Sequence, residues 1–205
     1  MDFFLPIYRL FLFCLLLQIS ACATRPVVPA EQSTASSSLH QQHLAKLGDI
    51  NEFSLKGRLG VVTQKQGFSG SIVWQHAVDT DTIEIYSPVG SKVANISKAA
   101  TGVTLTSQDG HSIKAKDAES LIETTLGFRL PLTGLSDWAL GKPTASKIEA
   151  SSWDEQGRLL TLKQEGWDIN YENYTDNNGL FLPGKVILKS EKVNLKLIIE
   201  KWLGN

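Results

Sequence analysis

From Phe53 to Trp202 the chain is divided into strand-length pieces by closely spaced turn residues, a punctuation that points to antiparallel β structure. Phe53 to Thr63 sets Leu55, Leu59 and Val61 on one face, and Phe68 to Gln75 sets Phe68, Ile72 and Trp74 together. Gln66-Gly67 supplies the hairpin turn between them. Asp79 to Asp81 reads as a polar loop, after which Ile83 to Ser87, Lys92 to Lys98, Gly102 to Ser107 and His111 to Ala115 continue the meander, the last across Asp109-Gly110. Lys147 to Trp153 and Leu159 to Gln164 flank the loop Asp154-Glu155-Gln156-Gly157. Trp167 to Tyr174, Gly184 to Lys189 and Val193 to Trp202 bring the total to roughly eleven strands, with a turn cluster at Asp176-Asn177-Asn178-Gly179.

The period changes between Asp117 and Leu140. Leu121, Ile122, Thr125 and Leu126 share one helical side, and Leu135, Trp138 and Ala139 share another. Pro131 breaks the two helices apart, and Gly141-Lys142-Pro143 stops the second. The fold class is therefore mainly β with a few α-helices. An open meander of this length curls under its own twist, and its concave face needs an apolar cover, which the two central helices can supply. Strand tilt and shear, which the residues do not reveal, decide whether that interior is filled or hollow.

Upstream, Arg9 and the apolar run Leu10 to Ile19 form a signal peptide that is too short to span a bilayer. Ile19-Ser20-Ala21-Cys22 closes it as a lipobox, with Cys22 as the acylated first residue of the mature chain. Residues 1–21 are read as the signal, 22–38 as a lipidated Pro- and Ser-containing tether, and 39–205 as the functional domain. Ala23 and Thr24 include no aspartate of the kind that retains lipoproteins in the inner membrane, which favours the outer membrane. Leu39, Leu44 and Leu47 lie near helical spacing in a short helix ended by Gly48.

Cys14 leaves with the signal and Cys22 carries lipid, so no thiol remains for a disulfide, a metal or a nucleophile. A formal net charge of −1 argues against nucleic acid as a partner. Gly67-Phe68-Ser69-Gly70-Ser71 misses the G-x-S-x-G nucleophile elbow by one residue and lies in a strand. His40 and His43 are three apart on a possible helix, but no third ligand lies nearby and Gln41-Gln42 marks a solvated face. No G-x-x-x-x-G-K-[ST] phosphate loop is present. The chain is read as a non-enzyme that needs no metal and no cofactor.

Ser87-Pro88-Val89-Gly90 is the most telling local feature, because Pro88 and Gly90 shape a turn while Val89 places an apolar side chain where a polar tip is usual. Such a tip points to membrane contact. Phe68, Ile72, Trp74, Ile83, Ile85, Leu105, Leu121, Ile122, Leu126 and Trp138 are candidates to line the interior, as are Trp153, Trp167 and Trp202; each is also a natural core residue. Arg58 alternates with Leu59 and so is placed on the opposite face, exposed or paired with a carboxylate.

Lys56-Gly57-Arg58, Ile72-Val73-Trp74, Ser87-Pro88-Val89-Gly90, then Leu130-Pro131 with Leu135, Trp138, Gly141 and Pro143 stand in an order and spacing that, behind the lipobox, resembles the LolB family. These are outer-membrane lipoproteins that receive lipoproteins in Gram-negative bacteria. The resemblance covers the mature chain from about His40 to Trp202. It implies a curved, incomplete antiparallel half-barrel lidded by helices, with an apolar cavity for acyl chains. It further implies that cargo comes from the soluble periplasmic carrier LolA and is delivered to outer-membrane lipid by a monomer facing the periplasm. The matching loop of the family presents a protruding hydrophobic residue, commonly leucine, where this chain has the smaller Val89. Arg58 becomes of interest through the resemblance alone, as a tether for a lid helix. A second class of function stays open from the residues: a lipid-anchored envelope scaffold or peptide-binding sensory module built on a similar half-barrel.

Overall fold

The computed structural model describes residues 34–116, 121 and 132–203. Alternating apolar residues and turn chemistry build a meander of six strands: β1 (Phe53–Thr63), β2 (Gly67–Ala77), β3 (Thr80–Tyr86), β4 (Lys92–Ala99), β5 (Gly102–Ser107) and β6 (Ser112–Ala115). After the central helical region come β7 (Ile148–Trp153), β8 (Leu159–Gln164), β9 (Trp167–Glu172), a short ribbon of β10 (Thr175–Asn177) and β11 (Leu180–Leu182), then β12 (Lys185–Lys189) and β13 (Val193–Trp202). Eleven strands form one antiparallel sheet in the order β6-β5-β4-β3-β2-β1-β13-β12-β9-β8-β7. Its two edges, β6 and β7, do not pair with each other, so the sheet stays open.

Pairing β13 with β1 is the closing step of the topology, since it joins the second set of strands to the first. Leu55, Leu59 and Val61 stand opposite Trp202, Leu197 and Leu195, and on the other side of β1 opposite Trp74, Gly70 and Phe68. Directly opposed residues share a face, so one apolar face runs continuously across the sheet. It includes Leu162, Ile169, Val186 and Leu188 from β8, β9 and β12, all buried.

Two helices cover parts of this face. Helix α1 (Thr34–Gly48) starts five residues before the expected Leu39, and its buried stripe is His40, His43 and Leu47 rather than one containing Leu39, which is exposed. The two imidazoles take the place of apolar side chains at the i, i+3, i+7 positions. The expected solvated face for His40 and His43 is thereby corrected. His40 stacks on Trp153 at 4.2 Å, and its Nδ1–H donates to the Gly157 carbonyl at 2.7 Å. Gly157 allows this approach: its φ is +80°, and a Cβ there would lie 2.4 Å from the His40 nitrogen.

Helix α2 (Leu132–Leu140) buries Leu135, Trp138, Ala139 and Leu140. It ends in a Schellman arrangement, with Gly141 N–H on Trp138 O and Lys142 N–H on Asp137 O, and Gly141 at φ +81°. Gln164 on β8 ties it down. This wholly buried amide accepts from Trp138 Nε1 at 3.1 Å and from Thr144 N at 3.0 Å, and donates to the carbonyls of Thr144 and Ser146 at 3.2 and 2.7 Å. The first central helix expected from the sequence lies outside the described residues except for Leu121, which is helical and buried.

Candidate functional site

Hairpin alternation sorts the turns onto two rims of the sheet. Those at 64–66, 87–91, 108–111, 165–166 and 190–192 lie on one rim, and those at 78–79, 100–101 and 154–158 on the other. On the first rim stands Val89, 88% exposed, the most exposed large apolar side chain among the described residues. The turn beneath it is braced: Ser87 N–H donates to Ser91 O at 2.8 Å, Gly90 N–H to Ser87 O at 2.9 Å, and Ser91 N–H to Ser87 Oγ at 3.2 Å. Gly90 adopts φ +88°, which lets Pro88 and Gly90 hold the valine outward. A solvated isopropyl group on a hydrogen-bonded turn can lower its free energy by about 1.5–3 kcal/mol on entering an apolar phase.

Behind this turn, the concave face is not filled evenly. On β8, β9, β12 and β13 its apolar side chains are largely buried, whereas Leu59, Val61, Ile85 and Leu105 on β1, β3 and β5 are only partly covered, and Phe68 is 37% exposed. The register brings Phe68 opposite Val61, Ile72 opposite Ile85, and Leu105 opposite Ile113. The Phe68 ring lies over Gly70, where a Cβ would come within 2.7 Å of it. Ile72 and Ile83 are buried beneath them. An apolar surface thus reaches from the covered interior to the same rim as Val89, and it can take apolar chains by dispersion and water release.

Not every expected lining residue belongs to that surface. Trp74 and Trp138 are buried core residues whose indole N–H groups are already bonded, Trp74 to Asp81 Oδ1 at 2.9 Å and Trp138 to Gln164. Trp153 stacks on His40, Trp167 lies 6.4 Å from Trp138, and Trp202 packs edge-on to Phe53 and donates to Pro183 O. Ile122 and Leu126 lie outside the described residues. Arg58 stands on the outer face, where its Nε donates to Glu200 Oε1 at 2.9 Å with 62% of the side chain exposed. The described residues show for it the carboxylate pair and no contact with a lid helix.

Asp81, expected in a loop, lies instead on β3 and is buried. It accepts from Trp74, from His76 Nδ1–H at 2.7 Å and from Lys98 Nζ at 3.2 Å. Burial alone raises its pKa, but the hydrogen bonds from His76 and Trp74, then the charge of His76 and the hydrogen bond from Lys98, hold it below the ordinary carboxylate value. The missed signal was period 2: Asp81, Ile83 and Ile85 alternate along one strand. Near His76, at the rim away from Val89, an open groove of about 700 Å³ is lined by residues 49–54. Asp49, Asn51, Glu52 and His76 make it polar and unsuited to acyl chains.

No helix among the described residues is long and apolar enough to cross a membrane. Comparison with known proteins supplies the family. The chain is 32% identical to the outer-membrane lipoprotein LolB of Nitrosomonas europaea over 194 residues, covering 93% of this chain and 90% of that protein. It is likewise 32% identical to the outer-membrane lipoprotein LolB of Azoarcus sp. over 185 residues, covering 90% and 89%. Among solved structures, a DUF1329 family protein from Desulfovibrio piger shares the fold with a TM-score of 0.51 at 6% identity, over 83% of this chain and 92% of that one. The family model described as outer membrane lipoprotein LolB matches residues 51–202, and the chain belongs to that family.

Proposed function

We propose that this chain is an outer-membrane receptor for lipoproteins, anchored by acylated Cys22, that accepts acylated proteins from a LolA-like periplasmic carrier and passes them to the bilayer. The observation that carries the reading is the placement of exposed Val89 on the rim to which the partly covered apolar surface of Leu59, Val61, Phe68, Ile85 and Leu105 also runs. Acyl chains held on that surface meet the membrane at the valine turn.

Physical bookkeeping supports a handover of this kind. A triacylated lipoprotein carries roughly forty methylenes, each favouring burial by about 0.8 kcal/mol, so free passage through water is prohibitive. Transfer from carrier to receptor to bilayer proceeds when each site holds the chains at least as well as the one before it. Affinity differences drive such a chain of transfers without nucleotide hydrolysis, and the proposal assigns no catalytic step to the protein.

Handover tests the reading. A carrier loaded with an acylated lipoprotein is mixed with a soluble form of this chain that begins after Cys22, the two are separated, and the cargo is located. Cargo on this chain is the expected result. Cargo left wholly on a carrier that releases it to an established receptor rejects the proposal.

A further inference from the structure

The convex face of β1, β13, β12, β9 and β8 carries a charge pattern unlike that of the chain as a whole. Its outward positions hold seven cations, Lys56, Arg58, Lys163, Lys185, Lys189, Lys196 and Lys201, against three acids, in a chain whose formal net charge is −1. All three acids are already matched: Glu200 with Arg58, Glu172 with Lys185 at 2.7 Å, and Asp168 with Lys163 at 3.9 Å. Lys56, Lys189, Lys196 and Lys201 are exposed and form no ion pair among the described residues. Lys56 and Lys201 are moreover register partners across β1 and β13, a like-charge juxtaposition that destabilises a sheet unless an outside anion relieves it.

From this we infer that the convex face is a docking surface for anionic phospholipid headgroups, which holds the anchored domain, while it awaits cargo and before the Val89 rim engages the bilayer, with its concave face turned away from the leaflet and open to an arriving carrier. The inference rests on the lipid-anchored reading above. The charge pattern favours a headgroup layer because the four unmatched lysines are spread over three adjacent strands, β1, β13 and β12. A diffuse anionic surface matches such a spread, whereas a single phosphate or carboxylate would reach one or two of them. Ile187 and Ile198, half-buried between the lysines in the register with Lys196 and Lys185, give their aliphatic stems apolar footing. Each lysine near an anionic leaflet raises partitioning about fivefold at physiological salt, and the effect fades within a Debye length.

Protection of the lysines from a membrane-impermeant amine reagent, read residue by residue by mass spectrometry, tests the inference on the full lipidated protein. The protein is reconstituted in vesicles of pure phosphatidylcholine or of phosphatidylcholine with about 40% phosphatidylglycerol, and the intact mass reports acylation of Cys22 separately. Lys56, Lys189, Lys196 and Lys201 are expected to react about tenfold more slowly on the anionic vesicles, with protection lost in 0.5 M salt. Lys46 on α1, the helix that packs on the other face of the sheet, serves as the exposed comparator and reacts equally on both. Replacing the four lysines by glutamine in one protein is expected to leave Lys163 and Lys185 equally reactive on the two vesicles. Equal reactivity of the four lysines on both compositions overturns the inference, as does protection that appears only when an acidic carrier is added. An unacylated but folded protein would instead overturn the anchor reading on which it rests.

Discussion

Trp138 on α2 donates its indole N–H to Gln164 on β8 across 3.1 Å, and both side chains are wholly buried. The same glutamine serves three backbone groups at Thr144 and Ser146, so one amide fixes the helix, its exit loop and a strand near the open edge. Replacing Gln164 by leucine leaves four polar groups without their partner. A loss of about 3 kcal/mol is expected, or roughly 6–12 °C in Tm for a domain of this size, measured by thermal unfolding.

Gly157 and Gly110 both adopt positive φ, +80° and +85°, yet they differ in what surrounds them. A Cβ at Gly157 meets the backbone of Leu39 and His40, whereas one at Gly110 meets nothing within 4 Å. Gly110→Ala is expected to lower stability by about 1 kcal/mol through backbone strain alone. Gly157→Ala is expected to lower it by clearly more and to speed amide exchange across α1, while Gly110→Ala leaves α1 exchange unchanged.

His43 gives α1 a pH dependence. Burial, then the neighbouring His40, lowers its pKa from the ordinary imidazole value; Asp154 opposes this, and Arg158 and Lys46 add to it. A lowered value in the folded state means that the unfolded chain takes up the proton first. The stability this group supports is therefore complete above about pH 6.5 and is lost as pH falls from there toward the lowered folded value, with a slope no steeper than about 1.4 kcal/mol per pH unit. His43→Leu is expected to flatten the stability profile between pH 7 and pH 5, measured by urea unfolding at a series of pH values.

Asp81 acts in the same direction, but lower on the pH scale. Its pKa is depressed in the folded state, so its contribution is present above the ordinary carboxylate value and is lost as pH falls through the depressed one. Asp81→Asn keeps the shape but removes the charge facing His76 and Lys98. It is expected to cost about 3 kcal/mol near neutral pH and to remove the acid-limb loss below about pH 4, both read from the same unfolding series.

Much of this architecture can be read from residues because turns and alternation are local. Most strands of the sheet are bounded by Gly, Asp or Asn signals, the Ser190-Glu191-Lys192 turn being an exception, and the expected pairing of Phe68, Ile72 and Trp74 on one face stands in the register. The ribbon of β10 and β11 was hidden, since three-residue strands around Asp176–Gly179 carry too few positions to show a period. Helix α1 turns Leu44 and Leu47 to the core as its spacing suggests, but continues its buried stripe through His40 and His43 instead of Leu39, because an imidazole that reads as polar can be buried, as His40 is against Trp153. The roles of Trp74 and Trp138 depend on Asp81 and Gln164, partners that only the folded sheet brings to them. Val89 was legible for the opposite reason: an apolar residue between Pro88 and Gly90 has no local partner to hide behind.

Three-way transfer with Val89→Glu tests the account most directly. A loaded carrier is mixed with wild type or variant, outer-membrane lipid vesicles are added, and the cargo is quantified on carrier, receptor and vesicles over time. The expected result is that both proteins take cargo from the carrier equally well, while delivery to vesicles by the variant is slower by about tenfold or more, because a carboxylate replaces the isopropyl group that enters the bilayer. Equal delivery by the two proteins, or cargo that never leaves the carrier for the wild type, would contradict it.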